Sequence, residues 1–333
     1  MDWSLKRDAE SLAPLIDCSI LSNFLVMNVI VWNCRGALKP NFQRHVRELA
    51  RAHNPSIFVV METRVGGDRA REIIDCLSFD GAILAEMIGY TGGIWLLWNS
   101  NRVVVEQLVS TEREIHVEVK VLPSNISWIF SAVYVSPRIV EKVLWENLSR
   151  VAGLHSKPWI IAGDFNEPLA EVDKFGGRPV SINRSLLFKD FLDKCNMVDM
   201  GFSRPRYTRT NRREISSLIQ ERIDRFFMNP SWCLLYLNAK VTHLTRCHSD
   251  HCSILLETNP SRQIHLTRPF KFQSFWLSDP SFPNVVKQAW QHPRFCQAEQ
   301  FMEQEPFREY FPQKVKPGLM GCKGLWPTSR LSL

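Results

Sequence analysis

The N-terminal part of the chain alternates short apolar runs with one stretch of helical periodicity. Residues 28–32 and 57–61 are apolar runs of strand length and β-rich composition. Between them, Phe42, Val46 and Leu49 recur at three- to four-residue spacing, which is typical of an amphipathic helix. The pattern predicts a strand, a helix and a second strand in that order.

Several strand-length runs follow without an intervening helix. Turn signals at residues 92–93, 99–100 and 123–125 separate several of these runs. Because short turns join strands that pair with one another, the series predicts a strand meander. The runs occupy residues 82–85, 93–98, 103–108, 115–121 and 126–135.

The remainder of this region returns to alternating helices and strands. Helical periodicity predicts one helix over residues 140–154 and another that begins near the N-cap candidate Ser181 and ends near Cys195. Strand meanders and interspersed helices in one uninterrupted span favour an α/β fold in which two sheets pack face to face with helices outside. Further strands are predicted at residues 159–162, 219–228, 240–244 and 252–256.

The composition is that of an ordinary globular protein. The 333 residues are 45% hydrophobic and 23% charged, which is enough for one large domain and an appendage. Polar residues such as Asp17 and Asn23 interrupt the apolar stretch between Ile16 and Val31, so no membrane-spanning or signal segment is expected. After Glu257 the chain becomes rich in Pro, Gln, Phe and Trp, which predicts a domain boundary near residue 258.

Charge and cysteine usage narrow the class of partners only slightly. The net charge of +7 and the pI near 9.0 favour a polyanionic partner, although many enzymes of small metabolites are equally basic. The nine cysteines are scattered and odd in number, which is typical of reduced intracellular thiols. No disulfide-linked partner is therefore expected, and a monomer is assumed.

A polar pair follows the predicted strand at residues 159–162. In the segment Gly163-Asp164-Phe165-Asn166, residues i and i+2 at a strand end point to the same side, so Asp164 and Asn166 can share one cleft. Asp164 would supply negative charge and Asn166 neutral hydrogen bonding. The alternative is a structural Asx turn that ends the strand.

A second pair, Asp250 and His251, precedes the last predicted strand. A carboxylate beside an imidazole at a strand edge favours a catalytic pair. As an alternative, Cys247-His248 and His251-Cys252 could be four zinc ligands. Their spacing does not match usual zinc fingers or ribbons, and Cys252 would point into the following strand, so the zinc interpretation is less favoured.

Asn33 and Glu62 end the first two predicted strands. If those strands are neighbours, an amide and a carboxylate emerge at the same sheet edge. Such hard oxygen ligands suit Mg²⁺, which takes few protein ligands and keeps several of its waters. The alternative for Glu62 is an exposed carboxylate in a turn.

Six motifs together resemble the endonuclease/exonuclease/phosphatase superfamily, which includes DNase I, apurinic/apyrimidinic endonucleases and sphingomyelinases. They occur in the order and spacing of that superfamily over residues 27–258, and the chain looks most similar to the endonuclease domain of plant LINE-type non-LTR retrotransposons. The motifs are Trp32-Asn33-Cys34-Arg35-Gly36, Glu62-Thr63-Arg64, Ser131-Ala132-Val133-Tyr134-Val135-Ser136-Pro137, Gly163-Asp164-Phe165-Asn166, Glu221-Arg222-Ile223-Asp224-Arg225 and Ser249-Asp250-His251.

The resemblance implies a DNase I-like fold, a four-layered α/β sandwich of two packed mixed β-sheets flanked by helices. It also implies hydrolysis of a phosphodiester by in-line attack of water, with Mg²⁺ or Mn²⁺ as the cofactor. DNA is the expected partner, and an intracellular, nuclear location is expected on the same ground.

The resemblance also assigns roles to the residues around the metal and the attacking water. Glu62, helped by Asn33, would hold the metal ion, and Asp250 would lie beside the metal or its waters. Asp164 would orient or deprotonate the attacking water, while Asn166 would donate a hydrogen bond to the phosphate.

Three further residues would act on the phosphate by similarity. Asp224 would orient the imidazole of His251, which would stabilise charge on a phosphate oxygen, and Tyr134 would direct its hydroxyl at the phosphate. Without the resemblance, Tyr134 could be a core aromatic residue. Asp224 could likewise form an ion pair with Arg222 or Arg225 on a strand surface.

An arginine-rich region lies between the predicted strands that carry Asp164 and Asp224. A basic loop beside a phosphate-cleaving site suits the binding of a nucleic-acid backbone, with an aromatic side chain available for stacking. The alternative is a solvated surface loop. The candidate contacts are Arg204, Arg206, Tyr207, Arg209, Arg212 and Arg213, and Arg222 and Arg225 belong to the same basic region.

The chain departs from its look-alikes within this region and at both ends. Relatives usually carry a tryptophan where Arg209 stands, and its loss would loosen the second sheet by about 2–4 kcal/mol if the position is buried. They commonly have a glycine in place of Arg204. Residues 1–26 are expected to be a disordered extension. Residues 259–333 are expected to be a linker and truncated tail in which residues 268–277 resemble the connector toward a reverse transcriptase.

Three functions therefore remain open from the sequence. The first is a DNA-nicking endonuclease of retrotransposon origin. The second is a phosphatase or phosphodiesterase of small phosphate esters, since the same fold serves both kinds of substrate. The third is an inactive retroelement remnant that binds nucleic acid or does not fold stably.

Overall fold

Two six-stranded mixed sheets with flanking helices organise the computed structural model, which describes residues 27–85, 92–135, 142–260 and 284. This confirms the predicted α/β sandwich. The predicted extension at residues 1–26 lies outside the described residues, as does almost all of the predicted tail at residues 259–333. The start of the predicted helix at residues 140–154 also lies outside them.

The first sheet grows from the predicted strand, helix and strand. Strands β1 and β2 run parallel, whereas the other neighbours in this sheet are antiparallel. The carboxyl ends of β1 and β2 therefore lie at one edge. In spatial order the strands are β14 (Lys240–His243), β15 (Ile254–Glu257), β1 (Asn28–Asn33), β2 (Ile57–Met61), β4 (Ile94–Trp98) and β3 (Gly81–Ala85), with helices α1 (Phe42–His53) and α2 (Gly67–Asp75) before and after β2.

The second sheet contains the predicted meander and the strand that carries Asp164. Strands β7 and β8 are parallel and the other pairs are antiparallel. In spatial order the strands are β10 (Val198–Asp199), β13 (Asp224–Met228), β8 (Trp159–Asp164), β7 (Ser127–Tyr134), β6 (Glu114–Val121) and β5 (Val103–Ser110), with helices α3 (Lys142–Leu154), α4 (Ile182–Lys194) and α5 (Pro230–Leu235).

A third, small sheet was not expected from the sequence. It consists of β11 (Arg209–Thr210), β12 (Gln220–Glu221) and β9 (Lys174–Phe175). The single strand predicted at residues 219–228 is wrong, because the chain divides it into β12 and β13. The backbone between them pairs elsewhere: Arg222 N–H donates to the Asp173 carbonyl at 2.8 Å, and the Ile223 carbonyl accepts from Phe165 N–H at 2.9 Å.

The central strands β1, β2, β7 and β8 are buried along almost their whole length, because both faces of each sheet are covered there. On β1, Val31 packs between the sheets against a cluster that includes Phe130 and Phe226. The alternate residue, Trp32, packs on the outer face, in the cluster that contains Phe42 of α1. A third apolar cluster joins the outer face of the second sheet to α3 and α4. The site residues described below lie at the ends of these buried strands.

Membrane-spanning helices and disulfides are both absent from the described residues. Among the described residues, no helix combines the length and apolarity needed to cross a bilayer. The six cysteines in this part of the chain are free thiols.

Candidate active site

The two large sheets bring polar side chains together at one end of the sandwich. Asn33 ends β1, Glu62 directly follows β2, and Tyr134 and Asp164 end the parallel strands β7 and β8. Asp224 begins β13 and pairs with Asp164 across the antiparallel ladder. Five of the residues predicted from the sequence therefore meet where strands of both sheets end.

Asn33 links the two sheets. Its Nδ2 atom donates to Glu62 Oε1 at 2.9 Å and to Asp164 Oδ2 at 2.8 Å. Its Oδ1 atom accepts from the backbone N–H of Arg35 at 3.1 Å. Asn33 was predicted to help hold a metal ion. In the structure its amide positions the Glu62 carboxylate, and its oxygen accepts from the backbone of Arg35.

Glu62 is a buried carboxylate surrounded by positive charge. Its Oε2 atom lies 2.6 Å from Arg64 Nη2 and 3.6 Å from Arg35 Nη1. Burial alone would raise the pKa of Glu62, but Arg35, Asn33 and Arg64 together hold that pKa below its usual value. Glu62 is therefore ionised at neutral pH. The alternative of an exposed turn carboxylate is wrong, since Glu62 is only 4% exposed.

Tyr134 belongs to the same group of side chains. Burial, followed by the negative charges of Glu62 and Asp164 and a hydrogen bond to Glu62, raises the pKa of Tyr134 above its usual value. Its hydroxyl therefore keeps its proton and acts as a hydrogen-bond donor. Tyr134 is both a core residue and a site residue, because its ring packs in the cluster between the sheets.

Asp164, Asp224 and His251 form a buried triad. His251 Nδ1 lies 2.9 Å from Asp224 Oδ2 and 3.9 Å from Asp164 Oδ2. Burial would lower the pKa of His251, but the two carboxylates outweigh it and raise the pKa above its usual value. Burial and repulsion from Asp224 raise the pKa of Asp164 despite the nearby imidazole. Asp224 is thus the orienting partner of His251 and forms no ion pair with Arg222 or Arg225.

The other imidazole nitrogen of His251 is the atom left for chemistry. Nε2 is buried and has no hydrogen-bond partner among the described residues. Unsatisfied buried polar atoms are uncommon, and in a site of this composition they are typical of a group that contacts a substrate. Asp224 therefore fixes the ring through Nδ1 and leaves Nε2 available.

Asn166 forms the structural turn of its motif and lies beside Asp164. Its backbone N–H donates to Asp164 Oδ1 at 2.9 Å, which is the predicted Asx turn. Its Nδ2 atom donates to the Val135 carbonyl at 2.7 Å, and its φ of 46° turns the chain back over the strand end. An amide nitrogen carries two hydrogens, so one remains for a phosphate oxygen.

Asp250 lies on the other side of β1 from Glu62. The preceding Ser249 donates its Oγ hydrogen to the Asn33 carbonyl at 2.8 Å, which fixes this loop against the end of β1. Burial would raise the pKa of Asp250, but His251, Arg35 and Arg209 bring it below its usual value. Asp250 is therefore a second ionised carboxylate beside Glu62.

The donor set fits a hard divalent cation. Glu62 and Asp250 offer ionised oxygens, and ligand atoms of the Asp164, Asp224 and His251 triad lie within 4.8 Å of one another. Both Glu62 and Asp250 contact guanidinium groups, so each position already accommodates positive charge. Oxygen-rich sites of this kind suit both Mg²⁺ and Mn²⁺, and their ligand type does not select one of the two ions.

The zinc alternative does not fit the structure. Cys252 is buried in the apolar cluster between the sheets, where burial raises the pKa of its thiol to about 12. The Nδ1 atom of His251 is engaged by Asp224, and the ring of His248 lies against that of His45 at a centroid distance of 5.2 Å. The four residues therefore do not converge on one point.

The arginine-rich region divides into an exposed part and a buried part. Arg222 and Arg225 are buried in ion pairs with Asp173 and Asp199, at distances between 2.5 and 3.5 Å. These two arginines therefore stabilise the fold and are not free to contact nucleic acid. The exposed arginines of the region are Arg204, Arg206, Arg212 and Arg213, while Tyr207 is partly buried.

Arg209 lies at the mouth of the site. It pairs with His251 in an isolated β-bridge, and its guanidinium lies 2.8 Å from Glu221 and 3.7 Å from Asp250. The position lies in the small third sheet, and the Arg209 side chain is 33% exposed, so the burial on which the expected loosening depended is not found at this position. The arginine at this position adds a cation to the cleft.

Sequence reasoning missed three residues that contact the site. Arg35 and Arg64 each lie two residues beyond a strand-ending site residue, Asn33 and Glu62, so the alternation that paired Asp164 with Asn166 could have identified them. Thr208 Oγ1 accepts from the backbone N–H groups of Ile223 and Asp224, both at 3.1 Å. No local pattern indicates that long-range contact.

Comparison with known proteins defines the class. A model of the endonuclease/exonuclease/phosphatase family matches residues 30–251, and the chain belongs to that family. The family is one of hydrolytic nucleases and phosphatases and is typically metal-dependent. A search of curated proteins gives no match.

Solved structures of known proteins share the fold at low sequence identity. AP endonuclease LMAP from Leishmania major is 16% identical, with a TM-score of 0.57 over 70% of this chain and 87% of that chain. The endonuclease domain of TRAS1, a telomere-specific non-LTR retrotransposon, is 15% identical, with a TM-score of 0.53 over 69% and 97%. A 3'-5' exonuclease (NExo) from Neisseria meningitidis is 18% identical, with a TM-score of 0.51 over 69% and 99%.

Proposed function

We propose that this chain is a Mg²⁺-dependent phosphodiester hydrolase that nicks DNA and derives from a plant LINE-type non-LTR retrotransposon. The observation that carries the proposal is the joint placement of five residues at the meeting edge of the two sheets. Asn33 donates to both Glu62 and Asp164 at 2.9 and 2.8 Å, and His251 Nδ1 lies 2.9 Å from Asp224 and 3.9 Å from Asp164. The carboxylates of Glu62 and Asp164, the imidazole of His251 and the protonated hydroxyl of Tyr134 then lie together at this edge.

Glu62 and Asp250 would hold the metal ion. When bound, the metal would offset negative charge that develops on the phosphate and on the leaving oxygen. Mn²⁺ would serve the same role. The protein's contribution is a pair of ionised carboxylates whose positions are fixed by Asn33 and Ser249.

Asp164 would orient the attacking water and accept its proton. Its raised pKa brings it closer to the range in which a carboxylate is an effective general base at neutral pH. Asn33 and the Asn166 backbone N–H hold its two oxygens, at 2.8 and 2.9 Å, so the carboxylate cannot rotate freely. A fixed orientation lowers the entropic cost of reaching the reactive geometry.

His251, Asn166 and Tyr134 would stabilise the phosphate. The raised pKa of His251 keeps its imidazole protonated, so Nε2 would donate to a phosphate oxygen while Nδ1 stays on Asp224. The second amide hydrogen of Asn166 and the Tyr134 hydroxyl would add two further donors. These donors are held by the fold before the substrate arrives, which is the condition for electrostatic catalysis.

DNA is the proposed substrate because of the charge around the site. Exposed arginines at positions 204, 206, 212 and 213 lie in the segment that leads to Asp224, and the chain carries a net charge of +7. Such cations bind phosphates of a backbone without regard to sequence. Retrotransposon descent is supported by the order and spacing of the six motifs, and a nuclear location is proposed with it.

A plasmid assay tests the proposed function. Purified full-length chain with supercoiled plasmid and Mg²⁺ should produce nicked circles, and EDTA should abolish the product. Intact plasmid at stoichiometric enzyme, with a cooperative thermal transition showing that the protein is folded, would contradict the proposal and favour the inactive remnant.

A second candidate function is hydrolysis of small phosphate esters. Asp164 and His251 are both 0% exposed, a depth that a small ester reaches more easily than a duplex. A screen of phosphomonoesters and small diesters decides between them. Turnover on a small ester that exceeds turnover on plasmid by orders of magnitude would make this second function the better account.

A further inference from the structure

The strand order places an arginine between the two carboxylates that would hold the metal. In the first sheet β1 lies between β15 and β2. Asp250 precedes β15, Glu62 follows β2 and Arg35 follows β1. Because β15 runs antiparallel to the other two strands, all three residues emerge at the same edge with Arg35 in the middle.

The guanidinium of Arg35 contacts both carboxylates. Its Nε atom lies 3.1 Å from Asp250 Oδ1, and its Nη1 atom lies 3.6 Å from Glu62 Oε2. The backbone of Arg35 is in the left-handed region with φ of 55°, and its N–H donates to Asn33 Oδ1 at 3.1 Å. The turn that directs Arg35 into the site is therefore held by Asn33.

Glu62 is more firmly held than the arginine, with a side chain 5% exposed against 27% for Arg35, whereas the Asp250 side chain is 28% exposed. Glu62 is fixed by Asn33, and the loop of Asp250 is anchored by Ser249 on the Asn33 carbonyl. The Arg35 side chain is 27% exposed and has a long, flexible stem. If charge must be rearranged in this site, the arginine is the group that moves.

No other described cation bridges the same two carboxylates. Arg64 contacts Glu62 at 2.6 Å, but its side chain is 41% exposed and no contact with Asp250 is found in the described part of the chain. Arg209 lies 3.7 Å from Asp250 and is held by Glu221 at 2.8 Å. Arg35 therefore has a position that neither of these arginines shares.

We propose that Arg35 is a resident counter-cation of the metal centre, which neutralises Glu62 and Asp250 until a divalent ion displaces it. This inference rests on the proposed metal-dependent function. Metal binding then competes with an internal guanidinium, so the free protein binds metal more weakly than its carboxylates alone would allow. A phosphate group beside the site offers the displaced guanidinium a new anion, so substrate binding and metal binding favour each other.

Direct measurement of Mn²⁺ binding tests this competition without any catalytic readout. Electron paramagnetic resonance of free Mn²⁺ gives the dissociation constant for the full-length protein. Arg35→Gln removes the competing charge and should bind Mn²⁺ about tenfold more tightly than the wild type, as expected for a unit charge a few ångströms away at partial exposure. Equal or weaker binding by Arg35→Gln overturns the proposal.

Arg44→Gln is a matched control for net charge. Arg44 lies on α1 and pairs with Glu48 at 3.6 Å, the distance that also separates Arg35 Nη1 from Glu62. Its substitution should change the Mn²⁺ dissociation constant by less than about twofold, because its side chain is 64% exposed and salt screens solvent-exposed charges. A tenfold change in this control would mean that net charge alone governs the affinity, which also overturns the proposal.

Arg35→Lys and thermal melting separate charge from folding. Arg35→Lys keeps the positive charge, so its Mn²⁺ affinity should stay near that of the wild type. Arg35→Gln leaves two carboxylates without their counter-cation, so its Tm without metal should fall and Mn²⁺ should raise it more than in the wild type. If Arg35→Lys binds Mn²⁺ as tightly as Arg35→Gln does, the competition between charges is contradicted.

Substrate coupling is measured with a phosphorothioate oligonucleotide as the probe. The oligonucleotide should raise the Mn²⁺ affinity of the wild type several-fold. It should raise the Mn²⁺ affinity of Arg35→Gln by a smaller factor. Equal tightening in both proteins contradicts the role of Arg35. Failure of the proposed function can be told apart from failure of this inference. If the wild-type protein shows the Arg35-dependent Mn²⁺ binding but leaves plasmid intact, only the nicking activity is contradicted. Absence of Mn²⁺ binding in every variant contradicts both.

Discussion

Asp164 and Asp224 stand directly opposite each other in the antiparallel pair of β8 and β13, and both are buried. Two like charges at paired positions repel each other, and the low dielectric of the interior strengthens the repulsion. His251 Nδ1 lies within 3.9 Å of both carboxylates and offsets it. The pKa values of Asp164 and His251 are both raised, so we expect the protonation of these two groups to affect both catalysis and stability.

The rate should depend on pH as a bell-shaped curve. The pKa of Asp164 is raised, so its base form is lost at a higher pH than for an ordinary carboxylate. The pKa of His251 is also raised, so the protonated stabiliser persists above its usual range. kcat/KM on an intact duplex oligonucleotide should rise through the first of these values and fall through the second. A profile that is flat from about pH 5 to 9 contradicts these roles.

The raised pKa of His251 also predicts how the stability of the fold changes with pH. Because the folded-state pKa of His251 lies above its unfolded value, its contribution is fully present below about pH 6.5 and is lost as the pH rises through the folded-state pKa. The raised pKa of Asp164 acts in the same direction. Tm measured against pH should therefore decline more steeply above neutrality in the wild type than in His251→Gln. If the curves of Tm against pH for the two proteins are parallel, His251 and Asp164 do not contribute to the pH dependence of stability.

His251→Gln should reduce both activity and stability. Loss of the imidazole removes the donor to the phosphate, and we expect kcat to fall about 10²- to 10⁴-fold. The change also leaves Asp224 buried without its partner, so the free energy of unfolding should fall by about 3 kcal/mol. His155→Gln, at the opposite end of β8 beside Trp159, is the control and should retain kcat. Full activity in His251→Gln would remove His251 from the mechanism.

Gly163→Ala tests how tightly the strand before Asp164 is packed. A Cβ atom at residue 163 would lie 1.8 Å from the Val133 carbonyl oxygen, which belongs to the neighbouring strand and cannot move away easily. We expect the free energy of unfolding to fall by about 2–3 kcal/mol and kcat to drop as Asp164 shifts. Gly153→Ala in α3 meets nothing within 4 Å and should be neutral or stabilising. Urea unfolding of both variants measures the difference.

The arginines of the basic region should fall into two groups. Arg213→Ala should weaken DNA binding and lower the slope of log K against log salt by about 0.9 or less, with little change in Tm. Arg225→Ala removes one of the two buried arginines that pair with Asp173 and Asp199, leaving only Arg222, and should lower the free energy of unfolding by about 3 kcal/mol. Fluorescence anisotropy at several salt concentrations and thermal melting measure the two effects. An unchanged salt slope in Arg213→Ala would remove it from the DNA surface.

The sequence was sufficient for the sandwich because its central strands are buried on both faces. Val31 and Trp32 are consecutive and pack on opposite sides of one sheet, so strand β1 reads as a continuous apolar run of strand length. Helix α2 was missed because only a few of its residues, such as Ala70 and Ile73, are apolar. The small third sheet was missed because its strands are two residues long.

The site was predictable where strands end and not where loops meet. Asn33, Glu62 and Asp164 each follow a buried strand, so the sequence placed them at a sheet edge. The contacts that complete the site are long-range, as in Arg35 with Asp250, and no local pattern specifies them. Arg225 was grouped with surface arginines because a buried ion pair depends on carboxylates that are distant in sequence.

Plasmid nicking by Asp164→Asn, compared with the wild type, tests the central claim most directly. The substitution preserves shape and one of the two hydrogen bonds that Asp164 accepts from Asn33 and the Asn166 N–H, but it removes the base that would act on water. We predict that wild-type protein with Mg²⁺ nicks supercoiled plasmid, and that Asp164→Asn retains its cooperative melting and its affinity for DNA while nicking falls at least about a hundredfold. Nicking by Asp164→Asn at the wild-type rate would contradict the assignment of this site.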